Sequence, residues 1–162
     1  IITFCMKIEL FKRILIESGV MEIKEPLWEH QTLYHGPGCL GEEKRSTHLE
    51  VAKKVVGERN QAGVYAYFKD SECLYIGKAQ CLLSRVHAHL LESECIWGAP
   101  KWQDFFSQYP GKIDLFLLRL GGSDFEENHL RIIVESLLTV EHKPIWLNHK
   151  FKKSSWISCY KE

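Results

Sequence analysis

Helical and alternating patterns of apolar residues succeed one another along this chain. Ile8 to Ser18 (IELFKRILIES) sets apolar residues at helical spacing and stops at Gly19. Residues 25–41 carry Pro26, Gly36, Pro37, Gly38 and Gly41 and read as loop. A second helix is predicted over 47–59. Ser46 or Thr47 caps it, Glu50 lies in its first turn, and Leu49, Val51, Ala52, Val55 and Val56 form its buried face. The first 60 residues therefore read as two helices joined by a loop.

From Gly63 the period shortens to two. Residues 63–69 predict a strand with Tyr65 and Tyr67 at alternate positions. Lys69-Asp70-Ser71-Glu72 is turn chemistry, and 73–76 is the return strand of a hairpin. A helix follows over about 80–92, with Leu82, Leu83, Val86 and Leu90 as its apolar stripe. Gly98-Ala99-Pro100 breaks the chain before a short helix over 101–108. Residues 112–120 (KIDLFLLRL) predict a third strand, apolar enough to be buried on both faces. Gly121-Gly122 ends it. Ser123 or Asp124 then caps a long helix with Glu126 and Glu127 in its first turn. Leu130, Ile133, Val134, Leu137 and Leu138 make its core face, and Pro144 stops it. This order predicts a small α/β (α+β) domain: a three-stranded antiparallel sheet flanked by helices, with a helical N-terminal extension.

Composition sharpens this only a little. The chain has 162 residues, 45% hydrophobic and 26% charged, which fits one ordinary globular domain. No apolar run approaches the roughly 20 residues of a membrane span. Lys7, Glu9, Lys12 and Arg13 interrupt any signal-peptide core. The chain begins at Ile1, with Met6 a candidate start. The six cysteines (Cys5, Cys39, Cys73, Cys81, Cys95 and Cys159) form no C-x-x-C pair, so zinc-site spacing is absent. Scattered thiols without a signal sequence point to a reduced, cytoplasmic protein with no membrane partner. Net charge is zero, which weakens any argument from bulk attraction to nucleic acid. Local distribution matters more. Beyond His142, up to Tyr160, the charged side chains are lysines: Lys143, Lys150, Lys152 and Lys153. They are either a solvated tail or a strip that contacts phosphates.

The chemistry concentrates between Gly63 and Arg85, GVYAYFKDSECLYIGKAQCLLSR. Two phenols, an ammonium and a guanidinium lie near the end of one short hairpin, a set that suits a phosphodiester. Arg85 and His89 are four apart and stack on one helix flank, whereas His87 points elsewhere. Taken alone, Arg85 is equally a surface ion-pair residue. Glu135 lies at the edge of the long helix's core face, about 140° around from Leu130. It is either a half-exposed surface group or a ligand turned into a cleft.

Gly63-Val64-Tyr65, then Tyr75-Ile76-Gly77-Lys78 with ten residues from Tyr65 to Tyr75, then Arg85, closely resemble the GIY-YIG nuclease domain. Glu135 and Asn148 stand where that family has a glutamate and an asparagine, and His89 where it often has histidine or tyrosine. Val64 replaces the isoleucine of the motif, a common change in the family. The resemblance covers residues 61–150 and not the first 60. It divides the chain into a helical N-terminal extension (1–60), a nuclease core (61–150) and a basic, aromatic tail (151–162).

The resemblance implies a DNA endonuclease that uses one divalent ion, Mg²⁺ or Mn²⁺, per active site. Glu135 is the one acid available to hold it, together with waters and a substrate phosphate oxygen. Tyr65 is then the candidate general base, its phenolate favoured by Lys78 and the metal. Tyr75 orients the water or a phosphate oxygen, and the two phenols could exchange roles. Arg85 stabilises transition-state charge. His89 protonates the leaving oxygen or holds a phosphate, and Asn148 braces the site. Gly77 leaves the backbone open to substrate. Gly63 is the structural first glycine of the motif. Lys150, Lys152 and Lys153 are candidate substrate contacts. The expected partner is duplex DNA. A homodimer is expected if both strands are cut, because two nicks need two sites. A small restriction-type enzyme is the leading reading. The alternatives are a repair or branched-DNA nuclease domain of a larger protein and a catalytically inactive nucleic-acid-binding module.

Overall fold

The computed structural model describes residues 29–35, 45–58, 61–93, 100–120, 125–147 and 152–153. The predicted helix over 8–18, the cap at Ser123 or Asp124, Asn148 and Lys150 lie outside the described residues.

The hairpin forms as its alternation predicts, from β2 (Gly63–Lys69) and β3 (Glu72–Ala79). Asp70 and Ser71 both take positive φ, 51° and 70°, as a two-residue hairpin turn requires. A bulge follows at once, because Tyr67 pairs with Tyr75 but Phe68 pairs with Cys73. The extra residue is Leu74. It lets Leu74 and Tyr75 both join one face of the sheet while Cys73 and Ile76 join the other. Tyr65, Tyr67 and Tyr75 thus share a face.

β4 (Gly111–Arg119) pairs with β2 on the side away from β3. One face is buried from Ile113 to Leu117; the other, also predicted to be buried, is partly open, with Lys112 exposed and Asp114 and Phe116 half-buried. Ile113, Leu115 and Leu117 face one core cluster, and Leu118 faces the other with Leu120 just beyond the strand. The sheet is larger than the three antiparallel strands expected. The segment over 25–41 that reads as loop contains β1 (Glu29–His35), which pairs antiparallel along the outer edge of β4. On the other edge β5 (Trp146–Leu147) pairs parallel to β3 at Tyr75, and β6 (Lys152–Lys153) pairs with β5. The α+β sheet is therefore mixed, in the order β1-β4-β2-β3-β5-β6. Lys152 and Lys153 have their backbone in a strand, not in a free tail.

Four helices cover the two faces among the described residues. α1 (Arg45–Val56), α2 (Leu82–Ser93) and α3 (Pro100–Gln108) lie on the tyrosine face, through Ala52, Val56, Leu82, Val86, Leu90, Trp102, Phe105 and Phe106. α1 stops three residues earlier than predicted. Gly57 takes a φ of 91°, and its N–H caps Lys53 C=O at 2.7 Å. α4 (Phe125–His142) covers the opposite face. Its buried side is rotated from the expected one. Arg131, Val134 and Leu138 are buried, whereas Ile133 and Leu137 are 46% and 38% exposed. The reason is Arg131, which is turned inward and donates from Nη1 to Leu120 C=O at 3.2 Å.

One arginine ties the extra strand to the rest. Arg119 donates to both carboxylate oxygens of Glu29 on β1, at 2.5 and 2.7 Å. It also donates to Gln61 Oε1 and to Val56 C=O, each at 2.6 Å. This hydrogen bond and charge hold Glu29 below its ordinary carboxylate range. Its contribution is therefore present above about pH 4.5 and fades as the pH falls further. Because the pair is partly exposed, Arg119→Ala is expected to cost only about 1–2 kcal/mol. Urea unfolding should show a lower midpoint at unchanged slope. An unchanged midpoint would mean that solvent already screens the pair.

Candidate active site

Four elements converge on Tyr75. Tyr65 comes from β2, Tyr75 from β3, Arg85 from α2 and Glu135 from α4. The two phenol rings lie 5.9 Å apart between centroids. The two hydroxyls are hydrogen-bond partners, an interaction that lowers the pKa of Tyr75 and raises that of Tyr65. Arg85 pulls both phenols down and the Glu135 carboxylate pushes Tyr75 up. Both groups are close enough to act on the phenol by charge.

The phenols are closed in. Tyr65 is 1% exposed and Tyr75 2%. Burial is the largest influence on each, and it raises both well above the ordinary phenol value of 10. This opposes the expectation that a neighbouring cation favours the phenolate of Tyr65. Lys78 is not the cation concerned. It pairs with Val64 in the ladder, so it projects from the face opposite Tyr65, Tyr75 and Gly77. Arg85 alone among the described cations pulls Tyr65, Tyr67 and Tyr75 downward.

Gly77 is needed for a different reason from the one expected. A Cβ there would lie 2.6 Å from Tyr65 Oη and 2.7 Å from Tyr75 Cε1. The missing side chain makes room for the two phenols, not for substrate. Gly63 has a backbone reason. A Cβ there would lie 2.2 Å from Leu118 C=O on β4.

His89 joins the site, as its spacing from Arg85 predicts, but at the bottom of it. It is fully buried and shares a 2.9 Å hydrogen bond between Nδ1 and Tyr67 Oη. Its ring lies 4.0 Å from Trp102 and 5.5 Å from Tyr65 between centroids. The ring is as enclosed as Tyr65 and Tyr67 and packs against them rather than facing the surface. Three participants were not picked out from the sequence. Tyr67 sits two residues from Tyr65, and strict alternation puts it on the same face. Arg131 is one helical turn before Glu135 on α4, a spacing that aligns side chains. Trp102 closes the phenols from above, with its ring 5.0 Å from that of Tyr75. No local signal in 101–108 announces that.

Glu135 is half-buried beside a phenol and offers one carboxylate. Among the described residues no group of three or more His, Cys, Asp or Glu could hold a metal. Cys81 is a free thiol. Among the described residues, no helix is long and apolar enough to cross a membrane. The chain matches no protein-family model, no curated protein and no solved structure.

Proposed function

We propose that this chain is an endonuclease that hydrolyses phosphodiester bonds in duplex DNA with the help of one Mg²⁺ or Mn²⁺ ion. The observation that carries the reading is the convergence on Tyr75 of a second phenol, a guanidinium and a carboxylate from three other elements. Phosphodiester hydrolysis needs those parts: a proton acceptor for water, a cation for the charged transition state and a metal ligand.

Tyr75 is favoured over Tyr65 as the base, because the bond between the two phenols lowers the pKa of Tyr75 and raises that of Tyr65. Tyr65 then positions Tyr75, and His89 and Tyr67 hold Tyr65 from below. Arg85 is exposed and free to turn toward a phosphate. A divalent ion bound at Glu135 would polarise a phosphate oxygen and offset the carboxylate's upward push on Tyr75. A homodimer would bring a site to each strand of a duplex.

Plasmid nicking in Mg²⁺ against chelator tests the proposal. Tyr75→Phe, Arg85→Ala and Glu135→Ala should each lower the initial rate about a thousandfold with unchanged circular dichroism. Wild-type nicking by Glu135→Ala would remove the metal assignment. The enclosure of Tyr65, Tyr75 and His89 favours a second reading, a nucleic-acid-binding module without turnover. DNA binding with no nicking by the wild-type protein would select it.

A further inference from the structure

A cavity of about 600 Å³ opens between the start of α2 and α4. Lys78 from β3, Arg85 from α2 and Arg131 from α4 line it, with Asn128 and Ser84 beside them. Among the described residues that line it, none is a carboxylate. The whole chain has 21 basic and 21 acidic residues, so three cations with no acid among the described lining residues departs from its average. Tyr65, Tyr75, His89 and Glu135 do not line this space. It is linked to the phenols through Arg85, which lines the cavity and acts on both rings by charge.

We propose that this cavity is a second phosphate site, which holds a nucleic-acid backbone phosphate next to the scissile one. It rests on the nuclease reading above for the identity of its ligand. Four observations lead to it. Its volume falls within the roughly 300–1,000 Å³ of small-ligand sites, enough for one nucleotide unit and too large for a cation. The charge of its described lining residues is of one sign and comes from three separate elements, so it follows from the fold rather than from one basic run in the sequence. Arg131 is 1% exposed, with Nη1 fixed on Leu120 C=O. A guanidinium held in place by packing loses little freedom on binding and suits phosphate oxygens. The first turn of α2 also opens here. Cys81 Sγ accepts from Ser84 N–H at 3.2 Å, and the partial positive charge of the helix start adds to that of the side chains.

Arg85 gives the cavity its use. It acts on the phenols by charge and also lines the cavity. A phosphate seated between Arg85 and Arg131 would set the register of the strand, so that its neighbour lies over Tyr75. Phosphate contacts of this kind fix position without reading bases.

Two variants test the assignment, with binding of a fluorescently labelled duplex measured over a range of salt. Arg131→Gln removes the buried cation. Ala88→Glu adds a carboxylate to the wall without removing any partner, and so remains informative if Arg131→Gln fails to fold. Each variant should bind roughly tenfold more weakly, and Arg131→Gln should lower the salt slope by about one. Pyrophosphate titrated calorimetrically without metal should bind the wild-type protein and not Ala88→Glu. Wild-type duplex affinity and pyrophosphate binding in Ala88→Glu would overturn the cavity and leave the nuclease reading intact. The reverse result is also readable. If both probes bind through the cavity but plasmid stays uncut in Mg²⁺, the nuclease reading fails and the phosphate site stands. A wild-type protein that binds neither probe overturns the cavity outright.

Discussion

Gly77→Ala is expected to cost about 3 kcal/mol, the upper end of ordinary overpacking. The added Cβ would sit 2.6 Å from Tyr65 Oη, 2.7 Å from Tyr65 Cζ and 2.7 Å from Tyr75 Cε1. Neither ring can step aside cheaply. Tyr65 is packed against Tyr67, Tyr75 and His89, and Tyr75 against Trp102 and Phe105. The melting temperature should fall by on the order of 10 °C. Tyr65→Phe added to Gly77→Ala should restore part of that loss, because it removes the closest clashing atom. A wild-type urea midpoint for Gly77→Ala would show that the phenols are not fixed. Gly63→Ala should be worse, since its Cβ meets the backbone of β4 rather than a side chain. The expected outcome there is insoluble protein.

A second large effect is expected in alkali. Tyr65, Tyr67 and Tyr75 are all raised above the ordinary phenol value of 10 by burial. The sign follows from proton counting. Above about pH 10 an unfolded chain releases three phenolic protons that the native state keeps, so unfolding becomes more favourable as pH rises. Three protons correspond to a stability loss of roughly 4 kcal/mol per pH unit. Below about pH 10 both states are protonated and these groups contribute no slope. Urea unfolding at a series of alkaline pH values, with phenolate absorbance followed in parallel, measures the slope. Tyr67→Phe should reduce it to about two protons, roughly 2.7 kcal/mol per unit. A flat profile to well above pH 10 would mean that the phenols reach solvent in the native state.

Much of the central sheet is legible in the sequence because its strands carry strong, unambiguous periods. Tyr65 and Tyr67 alternate, Asp70 and Ser71 are turn residues, and 112–120 is strongly apolar. β1 is not legible. Among the described side chains of EHQTLYH only Leu33 is fully buried, and glycines and prolines flank the segment, so its composition resembles loop. Only the free edge of β4, far away in sequence, makes it a strand. The buried face of α4 misleads for another reason. Leu130, Ile133, Val134, Leu137 and Leu138 span a wide apolar arc, and periodicity alone cannot say which edge of it turns inward. A buried arginine decides that, against the usual preference for exposing one.

The candidate site divides in the same way. Tyr65, Tyr75, Arg85, His89 and Glu135 were picked out from spacing and from the resemblance. Their enclosure was not, because it comes from α3. Trp102, Phe105 and Phe106 are ordinary apolar positions in sequence, yet they set the dielectric around the phenols and so move their pKa values. The different purpose of Gly77 follows from the same packing. A glycine beside two tyrosines on a hairpin reads as an opening until the rings are seen to fill it.

The pairing of β1 with β4 has a consequence for how this chain could be divided. Seven rungs join Glu29–His35 to Gly111–Leu117. A fragment begun at residue 61, where the resemblance starts, would leave that ladder vacant and present the backbone of β4 to any other chain with a strand to offer. Bare edges of that kind recruit copies of themselves and form aggregates. The smallest piece that can be moved, fused or exchanged as a unit therefore begins no later than Glu29.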